Sequence, residues 1–392
     1  MTNKPITRHA LRLPWTGNNV PHALLDIIRG CNITCRACYN TTEELVKPLE
    51  EVRRELDILT DRRKLDSVSI IGGEPTLHPQ LCEIVRMVKA RDISVEIFSN
   101  GLLLEPALLA DLRKAGADMM FLHIDAHQNR SDLGKNGTTE RLRSLREEIT
   151  QKVAATGMSV GLAITAYADA ASEIGEAVQF VLTSPHTDYL LVTLYRDTSA
   201  IQQISGDIDS GMKGIPAASS ASYADDSLTN KEIYARLKET FGITPFAYIG
   251  SNVDDNDPRW LSYMAGTVVS TDASNQDHSE SYWKAMKASV AEKLFLSLYK
   301  RFKGRYPFYL EHAPGRFRVQ LIANALTGGY FRQNLALLFK SLKKGSDLRT
   351  KRLLFQNPAY LADDGTVVHC AHCPDAIVHH SQLVPVCIAD RL

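Results

Sequence analysis

The chain has 392 residues, of which 44% are hydrophobic and 23% charged, and its acidic and basic side chains balance to a formal net charge of zero. This composition is typical of a globular protein with a large core, and it argues against a nucleic-acid partner. Because no apolar run reaches 18 residues and the N-terminus lacks the apolar segment of a signal peptide, we expect a cytoplasmic protein with reduced cysteines and no transmembrane helix.

Strand-like and helix-like patterns alternate over the first half of the chain. Short apolar runs are separated by stretches whose apolar residues recur at helical spacing. Six such repeats predict an α/β protein with a parallel sheet curled into a partial (βα)6 TIM-like barrel, and such sheets bind ligands at the carboxyl ends of their strands. The predicted strands span 23–28, 68–71, 95–98, 119–124, 159–165 and 189–194, and the predicted helices span 48–60, 79–90, 106–115, 140–155 and 173–182.

Three cysteines follow the first predicted strand at the spacing C-x3-C-x2-C. Cys31, Cys35 and Cys38 form a compact set of soft ligands that suits an iron–sulfur cluster or zinc. A structural zinc site is normally closed by a fourth Cys or His, whereas the nearest histidines in the sequence are His22 and His78. An odd number of thiols does not fit a disulfide framework. The spacing therefore predicts a 4Fe–4S cluster with one iron that the protein does not hold.

A glycine-rich turn follows the second predicted strand. Gly72 and Gly73 allow the backbone to approach a ligand closely and to adopt dihedral angles that other residues avoid. Glu74 and Pro75 complete the run, and Glu74 places a carboxylate near the strand end. On its own, such a run also fits an ordinary junction between a strand and a helix.

Together, the cysteine triplet and the Gly-Gly-Glu-Pro run resemble the motifs of the radical S-adenosylmethionine (SAM) superfamily. The resemblance implies that SAM chelates the open iron and that the turn, with Glu74, holds the methionyl ammonium group. It also implies that an electron from a flavodoxin- or ferredoxin-type donor cleaves SAM to methionine and a 5′-deoxyadenosyl radical. Family members usually carry an aromatic residue just before the third Cys. Ala37 stands there in this chain, and we expect Tyr39 to supply the contact to adenine.

Polar residues follow the next three predicted strands. Ser99 and Asn100 end the third, His123 and Asp125 share one face at the end of the fourth, and Thr165 ends the fifth. In similar enzymes, residues at these positions touch the ribose or the carboxylate of SAM, so we expect the same here. The alternative is an ordinary polar surface.

The remainder of the chain differs in composition from the barrel region. We expect residues 1–197 to form the barrel, the Ser- and Gly-rich residues 198–230 to form a linker or mobile loop, and residues 231–392 to form a mainly helical extension. The basic, apolar helices near the end of the chain are expected to pack on the barrel, with peripheral contact to a lipid surface or an anionic substrate as the alternative. The predicted helices of the extension span 231–240, 282–300, 317–326 and 331–342.

A second cysteine set lies near the end of the chain. Cys370 and Cys373 have C-x2-C spacing and Cys387 follows 14 residues later, so they predict a second soft-ligand site. In the radical SAM superfamily, C-terminal sets of this kind bind an auxiliary 4Fe–4S cluster. The remaining cysteine, Cys82, lies within a predicted helix and is expected to be a structural thiol. The alternative is a zinc site whose fourth ligand is His369, His372, His379 or His380.

These motifs favour a radical SAM enzyme that takes a hydrogen atom from an unactivated carbon, with the auxiliary cluster aiding electron transfer or substrate binding. The outcome would be an oxidation, a rearrangement or a C–C or C–S coupling of a small-molecule, lipid or peptide substrate. A radical SAM methyl or alkyl transferase is the main alternative. An iron–sulfur electron carrier or redox sensor is a more distant one, because a carrier needs neither the glycine-rich turn nor a barrel.

Overall fold

A computed structural model provides the structure of the chain. It describes residues 6–40, 45–134, 138–196, 201–205, 208, 212–216, 228–271, 279–308, 314–327, 331–343 and 345–391. An 11-stranded sheet organises the fold, and six of its strands are the predicted parallel strands.

The first half of the chain forms the predicted succession of strands and helices. Strands β2 to β7 are neighbours in chain order, and all five pairings between them are parallel, which confirms the α/β partial barrel. The elements are β1 (Leu11–Arg12), β2 (His22–Asp26), α1 (Leu49–Arg62), β3 (Ser67–Ile71), α2 (Leu81–Lys89), β4 (Ser94–Ser99), α3 (Pro106–Ala115), β5 (Met119–His123), α4 (Thr139–Ala154), β6 (Ser159–Ala166), α5 (Ser172–Thr183) and β7 (Tyr189–Leu194).

The two faces of the barrel sheet pack against different partners. Val68 and Ile70 of β3 are fully buried in the cluster that contains the inner side of helices α1 to α5. Leu24 and Ile71 point to the opposite face, where they share a cluster with C-terminal residues such as Ile377. The side chains alternate because successive residues of a strand point to opposite faces. C-terminal residues thus cover part of the inner face of the barrel sheet.

The C-terminal part is mixed α/β, whereas the sequence predicted a mainly helical extension. Strand β13 lies beside β7 in parallel and beside β11 in antiparallel orientation, so it continues the barrel sheet. The elements are β8 (Ile201–Ser205), β9 (Lys213–Pro216), α6 (Asn230–Phe241), β10 (Ala247–Gly250), β11 (Pro258–Thr271), β12 (Ser279–Met286), α7 (Val290–Lys303), α8 (Pro314–Thr327), α9 (Phe331–Ser341), β13 (Ser346–Gln356), β14 (Tyr360–Leu361), β15 (Val367–Val368), β16 (Ala376–His379) and β17 (Gln382–Pro385).

The helix predicted over 282–300 begins only at Val290, because residues 279–286 form a strand. These residues pair with β11 over eight consecutive positions. A capping box then starts α7: Glu292 Oε2 accepts a hydrogen bond from the backbone N–H of Ser289 at 2.8 Å. A short apolar run fits a strand and a helix equally well, whereas the Ser-x-x-Glu signature marks the true start.

Two short strands lie within the segment expected to be a linker or mobile loop. β8 and β9 pair in antiparallel orientation, and Ile201, Ile204 and Met212 are buried against the inner face of the barrel. Residues 198–200, 206–207, 209–211 and 217–227 of this segment lie outside the described residues.

The described residues contain no helix that is both long and apolar enough to span a membrane.

Candidate active site

The loop that carries the cysteine triplet lies at the carboxyl end of β2 and is held by the segment after β5. The backbone N–H of Arg36 donates to His127 O at 3.0 Å, and that of Asn129 donates to Thr34 O at 2.8 Å. Cys35 forms an isolated bridge with Gln128. These contacts place the thiols at the ends of the parallel strands, where α/β sheets bind ligands.

The glycine-rich turn is bonded directly to the backbone that enters the cysteine loop. The N–H of Gly73 donates to Ile28 O at 2.7 Å, and the N–H of Glu74 donates to Gly30 O at 2.9 Å. A Cβ atom at Gly72 would lie 2.2 Å from Ile28 O, and one at Gly73 would lie 2.2 Å from Gly30 O. Only glycines therefore allow this approach, and the two sequence motifs form one unit.

The Glu74 carboxylate is buried and its oxygens are already engaged by the protein. Oε1 accepts hydrogen bonds from Ser99 Oγ at 2.8 Å and Thr76 Oγ1 at 2.6 Å, and Oε2 accepts from the N–H of Asn100 at 2.7 Å. Burial raises the pKa of Glu74, although these hydrogen bonds oppose the shift. Glu74 and Ser99 thus fix the turn to the end of β4, and Pro75 follows as the start of a short 3-10 helix.

Asn100 connects the end of β4 to the cysteine loop. Its Nδ2 donates to Asn32 Oδ1 at 2.6 Å, and its backbone carbonyl accepts from Nη1 of the buried Arg130 at 2.8 Å. Arg130 in turn pairs with Asp132 at 2.9 Å. The predicted site residue therefore bridges two parts of the site.

Asp125 holds the ends of β5 and β6 together. Its carboxylate accepts from the N–H of His127 at 2.9 Å, the N–H of Thr165 at 3.1 Å and His123 Nε2 at 2.9 Å. Burial opposes ionisation of Asp125, but the charge of His123 and these hydrogen bonds lower its pKa to about 2. Thr165 takes part through its backbone, and the His123 side chain remains 30% exposed.

The environment of the triplet disfavours free thiolates. Burial, then the charges of Asp125, Cys38 and Cys31, raise the pKa of Cys35 to about 12. The pKa of Cys31 is raised mainly by burial, as is that of Cys38. A cationic ligand that these thiols share would compensate for this cost, since metal binding displaces thiol protons.

Tyr39 contacts the glycine-rich turn. Its hydroxyl donates to Gly72 O at 3.2 Å, and its side chain is 41% exposed. The ring is therefore accessible beside the glycine-rich turn, where the sequence predicted a contact to a ligand.

The second cysteine set is brought together in the interior. A hydrogen bond with Cys370, burial and the nearby charges of Cys370, Asp375 and Cys387 raise the pKa of Cys373 well above its ordinary value. Burial raises the pKa of Cys387 to about 12, and its sulfur accepts from the N–H of Ala359 at 3.5 Å. The three predicted ligands are thus neighbours.

The histidines near this set make other contacts. His369 Nδ1 lies 2.8 Å from Cys370 O, and His372 Nδ1 accepts from the N–H of Gly17 at 3.4 Å. His379 and His380 pack against each other with ring centroids 4.3 Å apart. In the part of the chain that the structure describes, no group of three or more His, Cys, Asp or Glu side chains is arranged to hold a metal ion.

An arginine pair next to the second set was missed from the sequence. Arg196, after β7, and Arg259, on β11, flank the ring of Tyr360, with guanidinium carbons 5.2 Å and 5.0 Å from its centroid. Burial, then the charge of Arg259, lower the pKa of Arg196, and the charge of Arg259 also acts on Cys387. Only the position of Arg196 after a predicted strand could have drawn attention to it.

The chain resembles known proteins over its barrel half. A family model described as the radical SAM superfamily matches residues 25–167. A tungsten-containing aldehyde ferredoxin oxidoreductase cofactor-modifying protein of Pyrococcus furiosus is 31% identical over 35% of this chain and 42% of its own length. A probable GTP 3′,8-cyclase of Pyrococcus abyssi is 28% identical over 28% of this chain and 36% of its own length. The match thus spans less than half the length of each relative.

The solved structures that resemble this chain are less similar to it in sequence than these relatives are. Streptococcus suis SuiB has a TM-score of 0.37 and 21% identity, over 49% of this chain and 44% of SuiB. Native anSMEcpe with bound AdoMet and a Cp18Cys peptide has a TM-score of 0.39 and 16% identity, over 57% of this chain and 59% of that one.

A partial barrel with a cysteine loop and a glycine-rich turn at its carboxyl edge is the arrangement that the two sequence motifs predicted. Residues 25–167 are similar to the radical SAM superfamily, as those motifs indicated. The superfamily is one of enzymes that use a 4Fe–4S cluster and SAM.

Proposed function

We propose that this chain is a radical SAM enzyme that removes a hydrogen atom from an unactivated carbon of its substrate. In this proposal, Cys31, Cys35 and Cys38 are the only protein ligands of the SAM-binding cluster, and SAM completes its coordination. The hydrogen bonds from the glycine-rich turn to the backbone entering the cysteine loop, 2.7 Å and 2.9 Å long, carry the proposal. They fix the expected SAM-binding groups directly beside the expected cluster ligands.

Glu74 is held at the strand ends beside the glycine-rich turn, because its Oε1 accepts from Ser99 and Thr76 and its Oε2 from Asn100. In this proposal the fixed carboxylate helps to hold the methionyl ammonium group of SAM. A three-thiol donor set leaves one iron of a 4Fe–4S cluster for that exogenous ligand.

When bound, the reduced cluster supplies the electron that cleaves SAM to methionine and a 5′-deoxyadenosyl radical. The residues of the chain position the reactants. The bonds that Glu74 accepts hold the Gly72-Gly73 backbone rigid for the methionyl group, and Tyr39 offers an accessible ring for adenine. Asp125 orients His123, whose exposed part is available to the ribose or carboxylate.

We propose a second 4Fe–4S cluster at Cys370, Cys373 and Cys387. The three thiols are neighbours, and the cationic Arg259 and Arg63 lie close to them, with Arg63 Nη2 donating to Cys373 O at 2.9 Å. Positive charge and hydrogen bonds around a cluster favour its reduced form. The second site thus suits a role in electron transfer or in substrate binding during an oxidation, rearrangement or coupling.

The partners follow from this chemistry. The enzyme would receive electrons from a flavodoxin- or ferredoxin-type donor in the cytoplasm and act on a small-molecule, lipid or peptide substrate. The proposal also keeps the predicted division of the chain into a barrel (1–197), a linker or mobile loop (198–230) and a C-terminal extension (231–392).

Anaerobic turnover tests the proposal without a known substrate. The full chain is reconstituted with iron and sulfide, reduced with dithionite and incubated with SAM. We expect methionine and 5′-deoxyadenosine in equal amounts. Intact SAM after incubation with a loaded and reduced cluster would overturn the assignment. With a pool of deuterated candidate substrates, deuterium in 5′-deoxyadenosine would identify the hydrogen donor.

A further inference from the structure

Helices α7 to α9 carry most of the exposed large apolar side chains. Together with the residue that follows α9, they hold ten of the sixteen such side chains among the described residues, with exposures from 43% for Leu298 to 80% for Phe302. Single exposed apolar residues are ordinary, but a cluster of this size marks an interaction surface. We call this set the outer helical face: Val290, Leu294, Leu298, Phe302, Val319, Ile322, Leu326, Phe331, Phe339 and Leu342.

The ten side chains lie on the same side of the molecule. The three helices each send buried residues, among them Leu296, Leu321 and Leu337, into one cluster with Met264 and Val268 of β11. Since all three helices cover the same face of the sheet, their opposite sides face away from it together. On α7 the exposed residues recur every fourth position, so they form one stripe. A surface helix normally shows a mainly polar side to solvent, whereas large apolar side chains are exposed among the polar ones on these helices.

The same region carries a strong positive charge within a neutral chain. Residues 290–343 contain ten Lys and Arg against two Asp and Glu. Glu292, the only one of these acids within the described residues, is buried in the capping box of α7 and accepts from Asn324 Nδ2 at 3.2 Å. The exposed charges of the described part of this region are therefore all cationic: Lys293, Arg301, Lys303, Arg332, Lys340 and Lys343.

We propose that the outer helical face binds the surface of an anionic lipid bilayer. Exposed Phe, Leu and Val side chains suit the boundary between headgroups and acyl chains, and the surrounding Lys and Arg suit anionic headgroups. A second copy of this chain is a poor occupant, because two faces with the same positive charge would repel each other. The contact is peripheral and does not depend on the proposed chemistry.

Vesicle sedimentation with the full chain tests this surface. One set of vesicles contains phosphatidylcholine alone, and the other contains equal amounts of phosphatidylcholine and phosphatidylserine. We expect binding to the anionic vesicles to be at least about tenfold tighter, and to weaken as salt is added, because the attraction is electrostatic. Equal affinity for the two vesicle types, or no binding to either, would overturn the proposal.

Paired variants locate the contact. Phe302→Ser with Phe339→Ser removes two side chains that are 80% and 65% exposed, so the fold should tolerate the change. We expect about tenfold weaker vesicle binding, since each buried apolar side chain adds to the partition free energy. Val253→Ser, 58% exposed on a different part of the surface, is the matched control and should bind as the unaltered chain does.

Sedimentation velocity tests whether the outer helical face binds a second copy of the chain instead. A monomer that associates only with anionic vesicles supports the proposal. Concentration-dependent self-association that the double variant abolishes would assign the face to a second copy and overturn it. Unchanged vesicle binding of a folded double variant would also overturn it.

Discussion

The two cysteine sets of this chain differ in how the fold surrounds them. Cys38 is exposed and Cys31 and Cys35 are partly exposed, in a loop held mainly by backbone hydrogen bonds. Cys370 and Cys373 are only 8% and 3% exposed within the packed interior, and Cys387 is partly exposed. The more exposed first set fits the proposed access by SAM, and the two buried thiols of the second set fit a more protected position.

The charges around the two sets also differ. At the first set the charges of Glu74 and Asp125 act on Cys31 and Cys35, and that of Arg29 acts on Cys38. At the second set the charge of Arg259 acts on Cys387, Arg63 donates to the carbonyl of Cys373, and the charge of Asp375 acts on both thiols. Each set thus has a guanidinium group and carboxylates nearby, but the groups differ in where they act.

Cys31→Ala should have the largest effect. Loss of one of three ligands removes the SAM-binding cluster, so reductive SAM cleavage should fall to the level without enzyme, as measured by 5′-deoxyadenosine formation. Cys82→Ala is the matched control, because Cys82 lies on α2, away from both sets in the sequence. If Cys31→Ala still cleaved SAM, or if Cys82→Ala lost SAM cleavage to the same extent, the first cysteine set would not be the site of the SAM-binding cluster.

Cys373→Ala should show that the two cysteine sets have separate roles. The buried second cluster is lost, whereas SAM cleavage at the first set should stay within about threefold of the unaltered chain, since the first set keeps its ligands. Formation of the finished product from a true substrate should stop. Full product formation by this variant would show that the second set has only a structural role.

Acid should destabilise the region of the second set. Burial, then the charge of Arg63, lower the pKa of His22 from 6.5 to about 3, and its ring stacks on Phe308 at 3.9 Å. The neutral form is therefore favoured in the folded state. Neutral His22 therefore contributes to the free energy of unfolding. This contribution is complete above pH 6.5 and is lost as the pH falls towards 3, at about 1.4 kcal/mol per pH unit.

Denaturant unfolding between pH 6.5 and 4.5 measures this contribution. The free energy of unfolding should fall by about 2 kcal/mol more in the unaltered chain than in His22→Asn. His9→Asn, at an exposed position, is the control and should keep the full pH dependence. The same slope in His22→Asn as in the unaltered chain would contradict the assignment.

Tyr39→Phe should have the smallest effect. It removes the hydrogen bond from the hydroxyl to Gly72 O but keeps the ring that is expected to contact adenine. The SAM dissociation constant should rise about threefold, which corresponds to the net value of one hydrogen bond, and calorimetry can measure it. A rise of about a hundredfold would show that the hydroxyl itself binds the ligand.

The sequence was sufficient for the barrel and for the position of the first cysteine loop at the carboxyl edge of the sheet. Strands β2 to β7 are short apolar runs separated by amphipathic helices, a pattern that has few alternatives. The triplet and the glycine-rich turn are local motifs, and their contact follows once both lie at neighbouring strand ends. The superfamily match over residues 25–167 agrees with this part of the prediction.

The C-terminal sheet could not be predicted in the same way. The basic run around Lys351 lies in the extension predicted to be mainly helical, yet it forms β13. There Lys351 is fully buried, with Nζ donating to Ser184 O at 2.7 Å and lying 3.3 Å from Asp188 Oδ1. Such partners are distant in sequence, so local patterns do not reveal them. The same holds for Arg196 and Arg259, which meet only in the fold.

Counting metals in three proteins tests the central claim most directly. The unaltered chain, Cys31→Ala and Cys373→Ala are reconstituted anaerobically, and iron, sulfide and zinc are measured per chain. If each set holds its own cluster, we expect about eight irons in the unaltered chain and about four in each variant, without zinc. About four irons and one zinc in the unaltered chain, with zinc lost in Cys373→Ala, would contradict a second cluster.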